Sequence, residues 1–392
     1  MTVPVLRCIM IYLDNAATTY PKPPAVVSAV SRCMQEYGGN PGRGSHRLAM
    51  LAAECVYACR EMAAQFFGVD DPTKVVFTLN TTYALNTAIK SIACPGDHFL
   101  IGNMEHNSVL RPIERLARDG VIDYDIFDVR GAPCDVVKRL AKLVRPNTRA
   151  VVCAHASNVC NISAPIQQIA GFCCAHDIKL IVDGAQSAGI LPIDLAQTPV
   201  DFLCVPGHKG LYGPQGCGLM IVNEKGSKRL QTLVEGGSGI HSLDRDMPPE
   251  LPERFEAGTL PTPAIAGLYE GIRWVINSGT ESIHSHECDL WMRLYSDLRS
   301  MNGVQIYDDT PGPILLFNVD SISPSVIAAE LNRAGICVRP GLHCAPLAHQ
   351  MLKTGKDGAV RASFGAMNTV KEVKRFADVL YKIILANNKP LQ

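Results

Sequence analysis

Six apolar runs constrain this chain more than any other feature: KVVFTL, HFLIG, RAVVCAHAS, KLIVDGAQS, DFLCVP and GCGLMIV, all between Lys74 and Val222. None alternates polar with apolar residues over its length, so each asks for cover on both faces, and helix-like segments separate most of them. Runs of that kind build a mostly parallel sheet between layers of helices, an α/β architecture. Helical periodicity begins at SHRLAMLAAECVYACREMAAQFFG, with Ser45 as the expected N-cap and Gly68 as the stop. Around GTLPTPAIAG the pattern changes. A long helix-like region follows, then PILLFNV, SPSVIAAELNRAGICVRP and TVKEVKRFADVLYKIIL, where Val373, Phe376, Leu380 and Ile383 share one helical stripe. The tail therefore reads as a smaller α+β lobe. A length of 392 residues also exceeds what one hydrophobic core usually serves.

Lys plus Arg and Asp plus Glu both number 37, so no net charge draws the chain to nucleic acid or an anionic membrane. The 15 cysteines are scattered without a CxxC pair, which argues against a zinc ribbon, a thioredoxin-type centre or a small disulfide framework. MTVPVLRCIM lacks the layout of a secretory leader, so reduced thiols in a cytoplasm are expected. Met10 stands directly before IYLDNAATT, and the first nine residues read as a start-site extension. Ala150 to His176 carries no Asp, Glu, Lys or Arg, but Asn158, Asn161, Pro165, Gln167 and Gln168 interrupt it, so no membrane span is expected.

In open α/β sheets, ligands gather at the carboxyl ends of strands. Here KVVFTL runs into Asn80, Thr81 and Thr82, HFLIG into His106, RAVVCAHAS into Asn158, KLIV into Asp183 and Gln186, and DFLCVP into His208 and Lys209. Between Asp201 and Glu224, Lys209 is the sole Lys, Arg, Asp or Glu. Three uses compete for it. A surface-loop lysine among turn-forming glycines is the bland one. A phosphate-clamping lysine needs GxxxxGK[ST], which is missing here. A lysine that joins an aldehyde as a Schiff base needs a desolvated amine, and its neighbours then have defined tasks. Pyridoxal phosphate requires a carboxylate at its ring nitrogen, for which Asp183 is the candidate. Its phosphate requires N–H groups at a helix start, as Thr81 and Thr82 offer; His106 suits the ring face and Gln186 the phenolic oxygen.

IYLDNAATT, NPGRGSH, MEHNS, VDGAQSAG, GHKGLYGPQGCG and GTLPTP, in that order, resemble the class V (fold type I) pyridoxal-phosphate aminotransferase family, from about Ile11 to the last helix. RPGLHCAPLAH is similar to the catalytic-cysteine loop of its group II cysteine desulfurases, which include selenocysteine lyases. The resemblance implies a large domain, 17–258, around a seven-stranded-type sheet, and a small domain of 1–16 and 259–392 that carries the cysteine loop. It implies Lys209 as the Schiff-base lysine, Asp183 as the pyridinium partner, Gln186 and Asn158 at the phenolic oxygen and substrate side, and His106 stacked on the ring. The phosphate would meet Thr81, Thr82 and His208, plus Thr259 from the other subunit of a homodimer. Arg361 would hold the substrate carboxylate as a fork, with Arg339 nearby, and Cys344 would accept sulfur. Two departures from the family pattern alter the phosphate cup. Pro206 stands in place of a serine, and Asn80 and Tyr83 replace a glycine and a glutamate.

His343, Cys344 and His349 invite a zinc reading, but no further ligand pair sits at metal spacing nearby, and no metal is expected. A core cysteine is the stronger rival, yet Pro340, Gly341 and Pro346 make a loop, where a thiol beside His343 and an arginine is exposed and partly thiolate. The implied reaction takes L-cysteine to L-alanine and leaves a persulfide on Cys344 for an unidentified acceptor protein, with Lys209 moving the Cα proton and His106 assisting. The same residues serve L-selenocysteine. A non-catalytic member of the fold that only binds a sulfur-accepting partner is the rival from another class.

Overall fold

The computed structural model describes residues 10–42, 44–223 and 230–387, so the first nine residues and Arg43 of NPGRGSH lie outside the described residues. Along the chain run β1 (Ile11–Tyr12), α1 (Pro24–Glu36), α2 (Arg47–Phe66), β2 (Val75–Thr78), α3 (Thr81–Ile92), β3 (Asp97–Gly102), α4 (Asn107–Arg118) and β4 (Ile122–Phe127). Then come α5 (Pro133–Leu143), β5 (Thr148–Ala154), α6 (Ile166–Ala175), β6 (Lys179–Asp183), β7 (Phe202–Pro206), β8 (Gly218–Val222) and α7 (Thr262–Ser278). The last part holds α8 (Thr280–Arg299), β9 (Val304–Ile306), β10 (Ile314–Val319), α9 (Pro324–Arg333), β11 (Ile336–Cys337), β12 (Arg339–Gly341), α10 (Pro346–Leu352), β13 (Ala359–Ser363) and α11 (Val370–Asn387). Two compact units result: a larger one of Lys22–Ser157 and Ile162–Glu281, and a smaller one of the residues up to Pro21, Asn158–Asn161 and everything from Ser282 on. The changeover falls at Glu281 and not at 258, where the sequence pattern changes, because α7 packs on α1 and α2 of the larger unit.

The larger unit is built on a seven-stranded sheet in the order β2-β8-β7-β6-β5-β3-β4. Only β8 runs antiparallel to its neighbours. β2, β7, β6, β5, β3 and β4 therefore all point the same way, and their carboxyl ends share one edge. β2, β7 and β8 are buried throughout, which is why they read as unbroken apolar runs. β4 is the strand those runs miss. As an edge strand it buries only Ile122 and Phe127, and Asp123, Tyr124, Asp125 and Ile126 between them stay exposed or half-exposed. A second difference concerns helix starts. α1 precedes the first helical period read from the sequence; it opens on Pro24 at its first turn and buries Val26, Ala29 and Cys33. α2 is capped by His46, whose ring accepts from the Ala49 N–H at 3.3 Å, and not by Ser45.

In the smaller unit a four-stranded antiparallel sheet, β12-β13-β10-β9, is backed by α8, α9 and α11. Val373, Phe376, Leu380 and Ile383 of α11 are all buried, and the Phe376 ring meets Phe317 of β10 edge-on at 6.0 Å. β1 pairs in parallel with β11, and the chain continues into a bridge between Asp14 and Ser363. Those two pairings bring the amino-terminal segment alongside β12 and β13. Among the described residues, no helix is long and apolar enough to cross a membrane.

Candidate active site

At the carboxyl edge of the large sheet, β2, β3, β6 and β7 lead into polar groups with a local reason to be there. β2 passes into Asn80, which caps α3 by accepting from the Tyr83 N–H at 3.0 Å. Asparagine is among the best N-cap residues, and that accounts for Asn80 physically. Thr81 and Thr82 then occupy the first turn, where N–H groups have no partner within the helix. Thr81 is buried, and its Oγ1 has no hydrogen-bond partner. Pro206 closes β7 opposite Gly218 of β8, and an added Cβ on Gly218 would come within 3.0 Å of the Asn80 backbone.

β3 leads to His106, which caps α4. Its Nδ1 accepts from the Ser108 N–H at 3.1 Å, so a neutral ring carries its proton on Nε2. The preceding Glu105 is fully buried, and its Oε1 accepts from the Ala154 N–H at 2.8 Å. Burial pushes its carboxyl well above the usual range. Asp183 closes β6, is 4% exposed, and accepts from the Ala185 N–H at 2.9 Å. Burial pushes its carboxyl up, while that N–H and the Lys209 ammonium pull it down. Gln186 lies buried in the turn that follows.

His208 and Lys209 follow β7, half-buried, in a loop that the sequence fixes by glycine. Gly189, at φ +81, and Gly210 approach backbone to backbone: a Cβ on Gly189 would lie 2.1 Å from the Gly210 carbonyl oxygen. The carbonyl of His208 accepts from Lys22 Nζ at 2.7 Å. Burial pulls Lys22 down to about 8 and His208 down to about 4, the latter helped by the charges of Lys209 and Lys22. Thr259 lies in the same unit, at an open cleft of about 810 Å³ lined also by Tyr57, Arg60 and Glu253.

The smaller unit gathers the remaining candidates. Arg361 of β13 is 2% exposed and stands directly across from Arg339 of β12. Asp14 lies against both. Arg339 donates to it from Nε (3.1 Å to each oxygen) and Nη2 (2.8 Å), and Arg361 from Nη2 (3.0 Å). Arg361 Nη1 donates to the Asn158 carbonyl at 2.7 Å, and Asn158 Nδ2 donates to the His343 carbonyl at 2.7 Å. His343 and Cys344 both hold left-handed backbone, at φ +49 and +56, where a residue with a Cβ is strained. Cys344 is exposed.

The His343 ring, which the sequence sets beside the thiol, is held by other partners. It lies against His349 (Nδ1 to Nε2, 2.9 Å) and the Arg339 carbonyl (Nε2, 3.0 Å), while His349 Nδ1 meets Thr354 Oγ1 at 2.7 Å. A carbonyl only accepts, so His343 Nε2 carries the proton and its Nδ1 accepts from His349 Nε2–H; the Thr354 hydroxyl donates to His349 Nδ1. Both rings are therefore neutral, and burial pulls His343 down to about 3 and His349 down to about 4. Arg339 and Cys344 interact electrostatically. Sequence reasoning gave no role to Asp14, Thr354, Lys22 or Glu105, although IYLDNAATT and MEHNS had already drawn attention to two of them. Among the described residues no group of three or more His, Cys, Asp or Glu gathers as metal ligands.

This sheet, and this edge, belong to a known class of protein. The sequence pattern of the family described as aminotransferase class-V matches residues 11–376, and the chain belongs to that family. A probable cysteine desulfurase of Methanothermobacter thermautotrophicus is 33% identical, over 97% of this chain and 96% of that protein. A cysteine desulfurase of Haloferax volcanii is 29% identical, over 95% of this chain and 88% of its own length. Among solved structures, the apo cysteine desulfurase of Thermococcus onnurineus superposes with a TM-score of 0.88 at 30% identity, covering 96% of this chain and 95% of that one. A cysteine desulfurase of Escherichia coli in an S-sulfonic acid form also gives 0.88, at 26% identity, over 98% and 96% of the two chains.

Proposed function

We propose that this chain is a pyridoxal-phosphate-dependent cysteine desulfurase that works as a homodimer in a reducing, cytoplasmic compartment. One observation carries the reading. Lys209 leaves β7 at the same sheet edge where buried Asp183 ends β6 and the Asn80-capped helix start follows β2. The residues fit the cofactor. Thr81 Oγ1 is a buried polar atom with no partner, and Asp183 is a buried carboxyl that burial pushes up and that the Ala185 N–H and the Lys209 charge pull back, so a cationic ring nitrogen beside it would favour its charged form. Thr81, Thr82 and His208 would hold the phosphate, joined by Thr259 of the second subunit, while Asp183 would meet the ring nitrogen, His106 the ring face, and Gln186 and Asn158 the phenolic oxygen. When bound, the cofactor supplies an aldehyde for Lys209 and a sink for the electron pair left when the Cα proton departs.

Every other step belongs to side chains of this protein. Arg361 and Arg339 hold the substrate carboxylate. The Lys209 amine takes the Cα proton, and His106, with its proton on Nε2, relays protons near the ring. The Cys344 thiolate attacks the substrate sulfur: an S–S bond forms, the Cβ–S bond breaks, and its electron pair stays on carbon. Protonation there, and return of a proton to Cα from the Lys209 ammonium, complete L-alanine, and Cys344 keeps the sulfur as a persulfide for an acceptor protein.

Borohydride reduction of the purified protein, followed by peptide mapping, is expected to find the reduced pyridoxyl group on Lys209. An adduct elsewhere, or a protein that stays colourless with added cofactor, would leave only a partner-binding role. Cys344→Ala is expected to lower sulfide release from L-cysteine by at least ~10²-fold. Running L-cysteine and L-selenocysteine side by side, with alanine quantified, reads the preference between them.

A further inference from the structure

Arg339 and Arg361 are paired directly across β12 and β13, an arrangement of like charges that a sheet does not tolerate unaided. Asp14 resolves it by accepting from both guanidinium groups at 2.8 to 3.1 Å. Two cations and one carboxylate leave this cluster with a single positive charge. Around it stand the Tyr12 hydroxyl, pushed up to about 12 by burial and the Asp14 charge, the Cys337 thiol, pushed up by burial and the same charge, the neutral His343 and His349 rings, and Cys344, which faces Arg339. Arg361, nearly fully buried, has one guanidinium nitrogen, Nε, whose N–H has no hydrogen-bond partner. A buried charged donor left unpaired costs about 1–3 kcal/mol or more, so its survival points to a ligand atom that completes it.

We infer that Asp14 is the specificity and positioning residue of the carboxylate subsite, fixing Arg361 for one carboxylate and tuning the cluster to reject a second. The inference rests on the desulfurase reading for its substrate, because L-cysteine carries one carboxylate where a dicarboxylic amino acid carries two. Asp14 touches no substrate. It acts through the arginines, and replacing it with a neutral group raises the charge of the cluster by one.

The test compares 3-mercaptopropionate with mercaptosuccinate, which differ by one carboxylate, by titration calorimetry on the holoenzyme. The parent protein is expected to prefer the monocarboxylate, and Asp14→Asn to shift the ratio of the two dissociation constants toward the dicarboxylate by at least ~10-fold. Asp14→Glu, which keeps the charge, is expected to keep the parent preference. If Asp14→Asn does not fold, Arg339→Met lowers the charge by one and is expected to move the ratio the other way. A purely structural Asp14 would weaken both ligands in parallel, and a ratio unchanged within about twofold in these variants overturns the inference. L-cysteine turnover by the parent is read separately; its absence would defeat the activity proposed above and leave the binding ratio to judge Asp14.

Discussion

Arg361 illustrates what one buried charge demands of its surroundings. It is 2% exposed, yet Nη2 reaches Asp14 and Nη1 reaches the Asn158 carbonyl. Its planar fork makes those two bonds and still offers Nε–H, whereas a lysine carries one rotating ammonium and reproduces no such fork. Arg361→Lys is therefore expected to raise KM for L-cysteine by at least ~30-fold with a smaller change in kcat, as befits loss of uniform binding. An unchanged KM in steady-state kinetics would remove Arg361 from the substrate subsite. Lys209 and Asp183 were legible in the sequence because each directly follows or ends an apolar strand that announces itself. Asp14 was not, since its partner Arg339 lies 325 positions away and nothing local in LDNAA betrays the pairing. The orientation of His343 was hidden for a related reason: its ring answers to His349 and Thr354, and RPGLHCAPLAH does not say which way a ring turns.

At the scale of elements, two loops at the sheet edge interlock through glycine. VDGAQSAG after β6 and GHKGLYG after β7 meet where Gly189, at φ +81, lies under the Gly210 carbonyl, and a Cβ there would sit 2.1 Å from that oxygen. Backbone cannot swing aside as a flexible side chain does. Gly189→Ala is expected to cost roughly 3 kcal/mol and to displace Lys209 with its loop. The check is paired: a lower Tm for the apoprotein, and weaker cofactor uptake followed by visible absorbance. Parent-like values in both would show that the loops have slack. Elements with uniform cover were the easy ones to read, since β2, β7 and β8 are buried from end to end. β4 escaped because an edge strand keeps Asp123 and Asp125 exposed or half-exposed, and α1 because a proline-rich start masks a narrow buried stripe. The cap of α2 was misplaced by one residue because a histidine ring accepts from the third amide as a serine does.

Across the whole molecule, buried ionisable groups pull stability in two directions with pH. His343 falls to about 3, and His349 and His208 to about 4, from an ordinary 6.5, with burial the leading cause in each. Below 6.5 the unfolded chain takes up protons that the folded chain refuses. Their contribution is thus complete above 6.5 and lost as pH falls toward 4 and 3. Glu105, Glu256 and Glu287 are raised above an ordinary 4.5, again chiefly by burial, so their contribution is complete below 4.5 and lost as pH climbs. The two limbs place the maximum Tm of the apoprotein between 4.5 and 6.5. Glu287 offers the cleanest probe, because burial is the sole cause of its shift and its Oε2 has no hydrogen-bond partner. Glu287→Gln keeps the shape without an ionisable proton, so the variant is expected to melt some ~2–4 °C above the parent at about pH 8, with the gap closing toward 4.5. Thermal melts across that range decide it: a parent Tm still climbing between 6.5 and about 8, or a gap that ignores pH, would show that these carboxyls do not govern the alkaline limb.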